Sequence, residues 1–186
     1  MKPTEELKKE HEAIKLMIRI MGSVSGRLES GKKVDPKHLD SILEFIKVFA
    51  DKCHHAKEED LLFPAMEKAG IPKEGGPVGV MLLEHDEGRQ YVKAMGEGIA
   101  QYAKGDLKAG SKIAENIRNY VALLSQHIDK EDNILYPMAD ARIPGADQEE
   151  LEKEFEKVET EKIGKGKHEE FHRLLHRLKE EYLKAE

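Results

Sequence analysis

Cysteine, tryptophan and long apolar runs are scarce or missing in this chain of 186 residues. The single cysteine, Cys53, excludes an intramolecular disulfide and is typical of proteins from a reducing compartment. No apolar run approaches the ~20 residues of a membrane-spanning helix, and the N-terminal stretch MKPTEELKKEHEAIK has no apolar signal core. We therefore expect a cytoplasmic protein without a membrane partner.

Aromatic residues are also scarce, and there is no excess of positive charge. Aromatic residues make up 5% of the chain and charged residues 37%, which suits a helical protein with a charged surface better than a β-sandwich. The formal net charge of -6 offers no basic patch for a nucleic-acid partner. The length is sufficient for one domain with a real apolar core.

Apolar periodicity predicts five helical segments and no strand. Four of these segments are comparable in length and joined by short links, which predicts an all-α, up-down-up-down four-helix bundle over about residues 4–142. The fifth segment is highly charged and is divided by Gly164 and Gly166. We expect it to form an added C-terminal helical arm over about residues 147–186.

One short pattern occurs twice at matched spacing. Residues 54–64 read HHAKEEDLLFP and residues 127–137 read HIDKEDNILYP. Each repeat places a histidine, and four residues later a glutamate, at core positions of a helix. Side chains four residues apart share a helix face, with Cβ atoms about 5–6 Å apart, so they can reach the same interior point. The two pairs are His54 with Glu58 and His127 with Glu131.

The first repeat also contains a competing pair, His55 with Glu59. The second repeat has Ile128 and Asp132 at the equivalent positions. Because the repeat preserves only the first pair, it favours His54 and Glu58 as the inward residues.

Two further histidines, His11 and His85, each lie alone on the apolar face of the first and third helices. One such histidine is more often a hydrogen-bonded core residue than a ligand, and one His-x-x-x-Glu pair is usually solvated. Two carboxylates and four imidazoles on apolar faces are different, because a buried unpaired carboxylate costs several kcal/mol or more. The joint pattern therefore predicts two bound metal ions. A thiolate-free set of this kind suits iron or manganese, and zinc less well.

With these motifs, roughly residues 4–140 resemble the hemerythrin-like family of HHE cation-binding domains. The resemblance implies a single hemerythrin-like domain, residues 1–186, that holds two iron ions joined by an oxo or hydroxo bridge. Dioxygen, nitric oxide or peroxide would be the small ligand of a carrier, a sensor or a stress-protection protein. The implied terminal ligands are His11, His54, His85 and His127, and the implied bridging carboxylates are Glu58 and Glu131.

One position departs from the pattern of the oxygen-carrying members of the family. They have a second histidine one turn after the third-helix histidine, and this chain has Arg89 there. The departure argues against simple reversible oxygen carriage and favours, as an alternative, a diiron enzyme with peroxidase, oxidase or nitric-oxide-consuming activity. A structural or zinc-binding bundle is the other alternative. The sequence does not identify an electron-transfer partner.

The arm offers candidates for a fifth histidine ligand in the stretch KHEEFHRLLHRL. His168 extends the apolar stripe of Phe171 and Leu175, and His172 flanks that stripe. We therefore predict His168 as the first candidate and His172 as the second. The same residues match the zinc-protease pattern His-Glu-x-x-His, but too little chain follows to supply a third ligand and a substrate cleft.

Three other residues near the motifs receive structural interpretations. Lys57 and Lys130 occur at equivalent positions of the two repeats and are expected to point outward. Tyr120 lies two turns before His127 on the same stripe, and is expected to pack in the core or to line the pocket.

Overall fold

The computed structural model describes residues 1–164 and 166–183 of the chain. All regular secondary structure in these residues is helical, with no strand among them, which confirms the all-α prediction. The α-helices of the described residues are α1 (Pro3–Glu29), α2 (Pro36–Phe45), α3 (Phe63–Lys68), α4 (Pro77–Ala103), α5 (Ala109–Lys130), α6 (Tyr136–Arg142), α7 (Gly145–Lys157) and α8 (Lys167–Tyr182).

π-Helical stretches connect several of these helices without a break in the right-handed backbone. Ile46–His55 and Glu58–Leu62 lie between α2 and α3, so residues 36–68 form one continuous rod, the second rod. Glu131–Leu135 joins α5 to α6, so residues 109–142 form the fourth rod. Val158–Ile163 extends α7. π-Helical turns are rare and frequently mark functional sites.

The first rod (α1), the second rod, the third rod (α4) and the fourth rod form the predicted up-down-up-down bundle. α1 packs on α5, α5 on α4, and α4 on α2. Asp35 and Pro36 begin the second rod as the sequence predicts, because the Asp35 carboxylate accepts a hydrogen bond from the Lys37 backbone N–H at 2.9 Å. None of the helices in the described residues combines the length and the apolarity that crossing a membrane requires.

The C-terminal arm packs back along the bundle as α8. Phe171, Leu174, Leu175 and Leu178 join the larger apolar core, where α8 contacts α1 and α2. Gly164 precedes this helix with a φ of 96°, a left-handed conformation that favours glycine and lets the chain reverse direction. The predicted bounds of a single domain, 1–186, stay a prediction, and Lys165 and residues 184–186 lie outside the described residues.

Two apolar clusters lie one above the other along the bundle and leave a polar layer between them. On α1, Leu7 belongs to the smaller cluster and Ile14 to the larger, and His11 lies between them. On the second rod, Ala50 and Leu62 belong to different clusters in the same way and enclose the first repeated motif. The fold thus places the polar residues of all four rods at one level of the bundle.

Candidate metal centre

The structure brings the six core residues predicted as ligands into this polar layer. Each side chain comes from a different turn of the four rods, and none of the six residues is more than 2% exposed to solvent. These residues, which we call the central six, are His11, His54, Glu58, His85, His127 and Glu131.

The four imidazoles of the central six form two pairs. The Nε2 atoms of His11 and His54 are 3.0 Å apart, and so are those of His85 and His127. Two nitrogens that bind one ion at about 2.1 Å, at right angles to one another, lie about 3.0 Å apart. The spacing of each pair therefore fits two imidazole ligands of a common ion.

Each carboxylate of the central six faces both imidazole pairs. Glu131 directs Oε2 to within 3.2 Å of His11 Nε2, and Oε1 to within 2.9 Å of His127 Nε2. Glu58 Oε2 lies 3.4 Å from His85 Nε2 and 3.7 Å from His54 Nε2. This is the arrangement expected of carboxylates that bridge two ions.

The same carboxylates contain buried oxygens that the protein leaves unsatisfied. Glu58 Oε2 and both oxygens of Glu131 have no hydrogen-bond partner within the described part of the chain, although imidazole Nε2 atoms lie 2.9–3.4 Å from them. An unsatisfied buried charge is strongly unfavourable. The donor set therefore fits a pair of cations and is poorly explained as a structural polar layer.

A carboxylate also forms a hydrogen bond with Nδ1 of each imidazole, the ring nitrogen that faces away from the centre. The Nδ1 atoms donate to acidic side chains at 2.7–2.8 Å, which directs the Nε2 atoms toward the centre. The four pairs are His11 with Asp132, His54 with Glu10, His85 with Glu59, and His127 with Glu84.

Sequence reasoning missed these four acids as a set, although the sequence carries a signal for them. Glu10 and Glu84 each directly precede a lone histidine, and Glu59 and Asp132 each directly follow a glutamate of the central six. Each acid supports a histidine on a different rod, so the pseudo-two-fold repeat extends to the residues around the ligands.

Electrostatic interactions within the polar layer favour the charged forms of its imidazole and carboxyl side chains. Burial lowers the pKa of His11, but Asp132 and Glu131 outweigh it and raise that pKa to about 9. Burial likewise lowers the pKa of His85, and Glu58 and Glu59 raise it to about 10. Burial raises the pKa of Glu58, yet the surrounding imidazoles lower it well below its usual range. The layer is thus built to keep its carboxylates ionised.

His55 joins the centre, contrary to the expectation that only His54 of this pair faces inward. Its ring stacks on His85 with centroids 3.9 Å apart, and one of its nitrogens lies within 4.8 Å of ligand atoms of Glu58, His85 and His127. Burial and the nearby His85 lower its pKa well below the usual value, which keeps it in the neutral form that binds metals.

A π-helical turn explains how two adjacent histidines share one face. Such a turn closes with i→i+5 hydrogen bonds and so holds one more residue than an α-helical turn. His54 and His55 end a π-helical stretch, whereas the second repeat reaches His127 and Ile128 in an ordinary α-helix. The symmetry of the two repeats, which favoured His54 alone, therefore does not hold at this turn, because only the first repeat is π-helical there.

Arg89 performs a supporting role at the position where oxygen-carrying members have a histidine. Its guanidinium donates to Asp51 and Glu59, each at 2.8 Å, and to Asp86 at 3.1 Å. Asp51 in turn accepts from His55, while Glu59 holds His85. Arg89 thus fixes the two acids that orient two histidines of the centre.

Tyr136 is a further functional candidate that sequence reasoning missed. Its hydroxyl donates to Glu58 Oε1 at 2.6 Å and lies 3.4 Å from His11 Nε2. Burial, and then Glu131 and Glu58, raise its pKa well above the usual value, so it remains a donor. The signal was the aromatic residue before the repeated proline, since the first repeat has Phe63 there and only the second has a hydroxyl.

The two histidines of the arm are not brought to the central six. The ring of His168 packs 5.0 Å from that of Phe49, and its Nε2 lies 3.9 Å from Cys53 Sγ and 3.8 Å from Glu159. His172 is exposed to solvent. Because α8 runs along the outside of α1 and α2, the second rod lies between the arm and the centre, and this corrects the prediction of a fifth ligand from the arm.

Lys57 is fully buried, so the expectation that it points outward was wrong. Its ammonium donates to Glu6 and Glu10 at 2.6 Å, and to Glu159 at 2.7 Å. Burial lowers the pKa of Lys57, but these carboxylates raise it well above its usual value. His168 and Cys53 border this cluster, where Lys57 already supplies the positive charge.

Comparisons with known proteins agree with the geometry of the centre. The model of the hemerythrin HHE cation binding domain matches residues 2–139. An uncharacterized protein from Mycobacterium bovis is 23% identical over 162 residues, which are 87% of this chain and 63% of that protein. An uncharacterized protein from Mycobacterium tuberculosis matches with the same identity and coverage.

A second kind of relative carries a functional name. The iron-sulfur cluster repair protein YtfE from Yersinia pestis is 32% identical over 89 residues, which are 46% of this chain and 40% of that protein. The chain thus covers less than two thirds of the length of these curated relatives. No solved structure matches the chain.

Proposed function

Since the chain belongs to the hemerythrin HHE cation-binding domain family, we propose that its central six hold two iron ions and that a small diatomic or peroxide molecule binds there. One observation carries the proposal: three buried carboxylate oxygens between two imidazole pairs have no hydrogen-bond partner within the described residues. Two cations neutralise these oxygens and use the four Nε2 atoms that point at them. Manganese or zinc is the alternative content of the same donor set.

An iron pair, when bound, supplies electrons and open coordination positions to an oxidising small molecule. The chain supplies the geometry: Glu58 and Glu131 hold the two positions together, and the four outer acids fix the imidazole rings. Leu62 and Leu135 are each 1% exposed and restrict the access of water from the smaller apolar cluster. We propose that this enclosure slows the loss of the bound molecule.

Metal content together with the optical spectrum tests the proposal. Protein purified without added metal, then reduced and loaded, is expected to hold two iron ions per chain. Exposure to air is expected to produce the near-ultraviolet charge-transfer bands of a bridged ferric pair. Two zinc ions per chain, with no uptake of iron, would contradict the proposal and favour the structural bundle.

A diiron enzyme is the second candidate, favoured by a cavity that reaches His85 and His127 from solvent. The similarity to a protein named for iron-sulfur cluster repair also supports this candidate. Catalytic turnover of peroxide or nitric oxide by the iron-loaded protein would identify it as an enzyme and not a carrier. Stoichiometric binding without turnover would support the carrier or sensor.

We predict that Tyr136→Phe lowers stability while the protein keeps both ions. The substitution leaves Glu58 Oε1 buried without its donor, which costs about 1–3 kcal/mol. In a chain of this size, that cost corresponds to a fall in melting temperature of roughly 2–12 °C. Thermal denaturation and metal analysis measure the two effects.

Tyr120→Phe is the matched control for Tyr136→Phe. The Tyr120 hydroxyl has no hydrogen-bond partner in the described residues, so its removal is expected to change stability by less than about 0.5 kcal/mol. Equal melting temperatures for the two variants would contradict the role given to the Tyr136 hydroxyl.

We further propose that His55 is the fifth nitrogen of the centre and serves the ion held by His85 and His127. His55→Ala is then expected to lower the affinity for that ion at least ~10-fold. A chelator would then remove one ion from the variant under conditions in which the parent protein keeps both. Chelator competition followed by optical spectroscopy measures the loss. His172→Ala removes an exposed histidine and is the control, and identical chelator profiles for the two variants would overturn the assignment.

A further inference from the structure

A cavity of about 900 Å³ adjoins the centre between the second rod, α4 and α5. Its inner end is formed by His55, His85 and His127, so it reaches one half of the centre. A diatomic molecule needs roughly the ~30 Å³ share of one water molecule. Cavities of about 300–1,000 Å³ are typical of sites for larger organic ligands. The volume is therefore far in excess of what the proposed small ligand requires.

The cavity is elongated along the bundle. Its lining includes both His85 and Glu97, which are twelve residues apart on α4. At 1.5 Å per residue, these positions lie about 18 Å apart along the helix. Lys93 lines the part remote from the centre, eight residues, or about 12 Å, from His85 along α4. Lys47, eight residues before His55 on the second rod, lines the same remote part.

The walls of the cavity are largely apolar, and small residues keep it open. Leu43, Val92 and Leu124 contribute aliphatic surface. Gly96 leaves space that a side chain would fill, since a Cβ there would lie 3.4 Å from Leu43 Cδ2. Tyr120 is 4% exposed and lines the middle of the cavity, and its hydroxyl has no hydrogen-bond partner in the described residues. Tyr120 therefore offers its hydroxyl to a ligand in the cavity.

The acidic residues of the lining are mostly neutralised by the protein. Four of the five lining acids form ion pairs, and among the described residues Asp40 alone of them has no such partner. The four pairs are Glu44 with Lys167, Asp51 with Arg89, Glu84 with Lys130, and Glu97 with Lys112.

Three lysines of the lining, in contrast, have no ion-pair partner within the described ranges 1–164 and 166–183. These are Lys47, Lys52 and Lys93. Lys47 extends over the cavity, because its Nζ lies 3.9 Å from the position of a Cβ on Gly96 of the opposite helix. The remote part of the cavity thus has a surplus of positive charge above an apolar interior.

We propose that this cavity binds an elongated amphipathic carboxylate, such as a medium-chain fatty acid. The carboxylate lies between Lys47 and Lys93, and the aliphatic chain runs past Val92 and Leu124 toward His55. The inference deepens the proposed function by naming the organic molecule that reaches the centre. This inference rests on the proposed function in one respect, which is that metal is bound at the inner end of the cavity, beside His55, His85 and His127.

Calorimetric titration of the full chain with octanoate, decanoate and 1-decanol tests the proposal. Each added methylene is expected to tighten binding about fourfold, and the neutral alcohol is expected to bind about fivefold more weakly than decanoate. The double variant Lys47→Glu, Lys93→Glu is expected to lose about tenfold or more in decanoate affinity. Lys33→Glu makes the same kind of change at an exposed lysine outside the cavity, and it is expected to bind decanoate normally.

Filling the cavity gives the second arm of the test. Gly96→Leu is expected to abolish decanoate binding while the iron content per chain stays the same, because Gly96 lies remote from the central six. Val92→Phe fills the neighbouring part of the cavity and replaces Gly96→Leu if that variant does not fold. Decanoate binding that survives both filling variants would overturn the proposal.

The outcomes separate this inference from the proposed function. Iron-loaded protein with no saturable decanoate binding would overturn the cavity assignment and leave the function intact. Decanoate binding by a protein that takes up no iron would overturn the function and leave the cavity assignment intact.

Discussion

Glu131→Ala is expected to lose both ions, because Glu131 presents one carboxylate oxygen to each imidazole pair. Metal analysis should fall from two iron ions per chain toward none. A ligand present at 100 times its dissociation constant stabilises a protein by about 2.7 kcal/mol. We therefore expect the variant to lose a metal-dependent rise in melting temperature of roughly 5–11 °C.

The control for Glu131→Ala is Glu149→Ala, which removes an exposed carboxylate from α7. This variant is expected to keep both ions and the full thermal response to metal. Should Glu131→Ala retain two ions with unchanged chelator resistance, the bridging assignment and the pseudo-two-fold ligand set would both be untenable.

Lys57→Met is expected to produce the largest loss of stability that does not remove a proposed ligand. The substitution leaves Glu10, which is 5% exposed, without its buried cation, and breaking a buried ion pair costs about 3–5 kcal/mol. The melting temperature is expected to fall by roughly 6–20 °C. Because Glu10 also holds His54, iron affinity is expected to fall about 10–100-fold.

The pseudo-two-fold repeat supplies the matched control, Lys130→Met. Lys130 pairs with Glu84, but its side chain is 36% exposed and the pair is screened by solvent. A loss of at most about 1 kcal/mol is expected. If thermal denaturation gave equal losses for Lys57→Met and Lys130→Met, burial would not be the cause of the effect.

The six residues that the structure gathers in the polar layer could be predicted from the sequence, because their signal is local along each helix. A histidine and a glutamate four residues apart share a helix face, and His54 with Glu58 repeats as His127 with Glu131. The unfavourable burial of two carboxylates then requires compensating charge, whatever the details of packing. The bundle itself follows from the same periodicity, and its all-α class is confirmed.

The acids that hold the imidazoles have conspicuous positions in the sequence, but these positions do not show which histidine each acid contacts, because the contacts are made between rods. Asp132 holds His11 and Glu59 holds His85, each across a large separation in sequence. Lys57 was expected at the surface, but π-helical turns change the register of the second rod and extended α7 covers it with Glu159. Local periodicity contains no information on either effect.

The sequence by itself determined the helices, their apolar faces and the repeated acid and imidazole groups, since each depends on residues within one or two turns. Only the tertiary structure decided that His55 reaches the centre, that His168 lies outside it, and that a long cavity ends at His85. These three outcomes depend on how rods pack and where a helix widens by one residue. Such features arise from contacts between distant segments, which a single-helix pattern cannot encode.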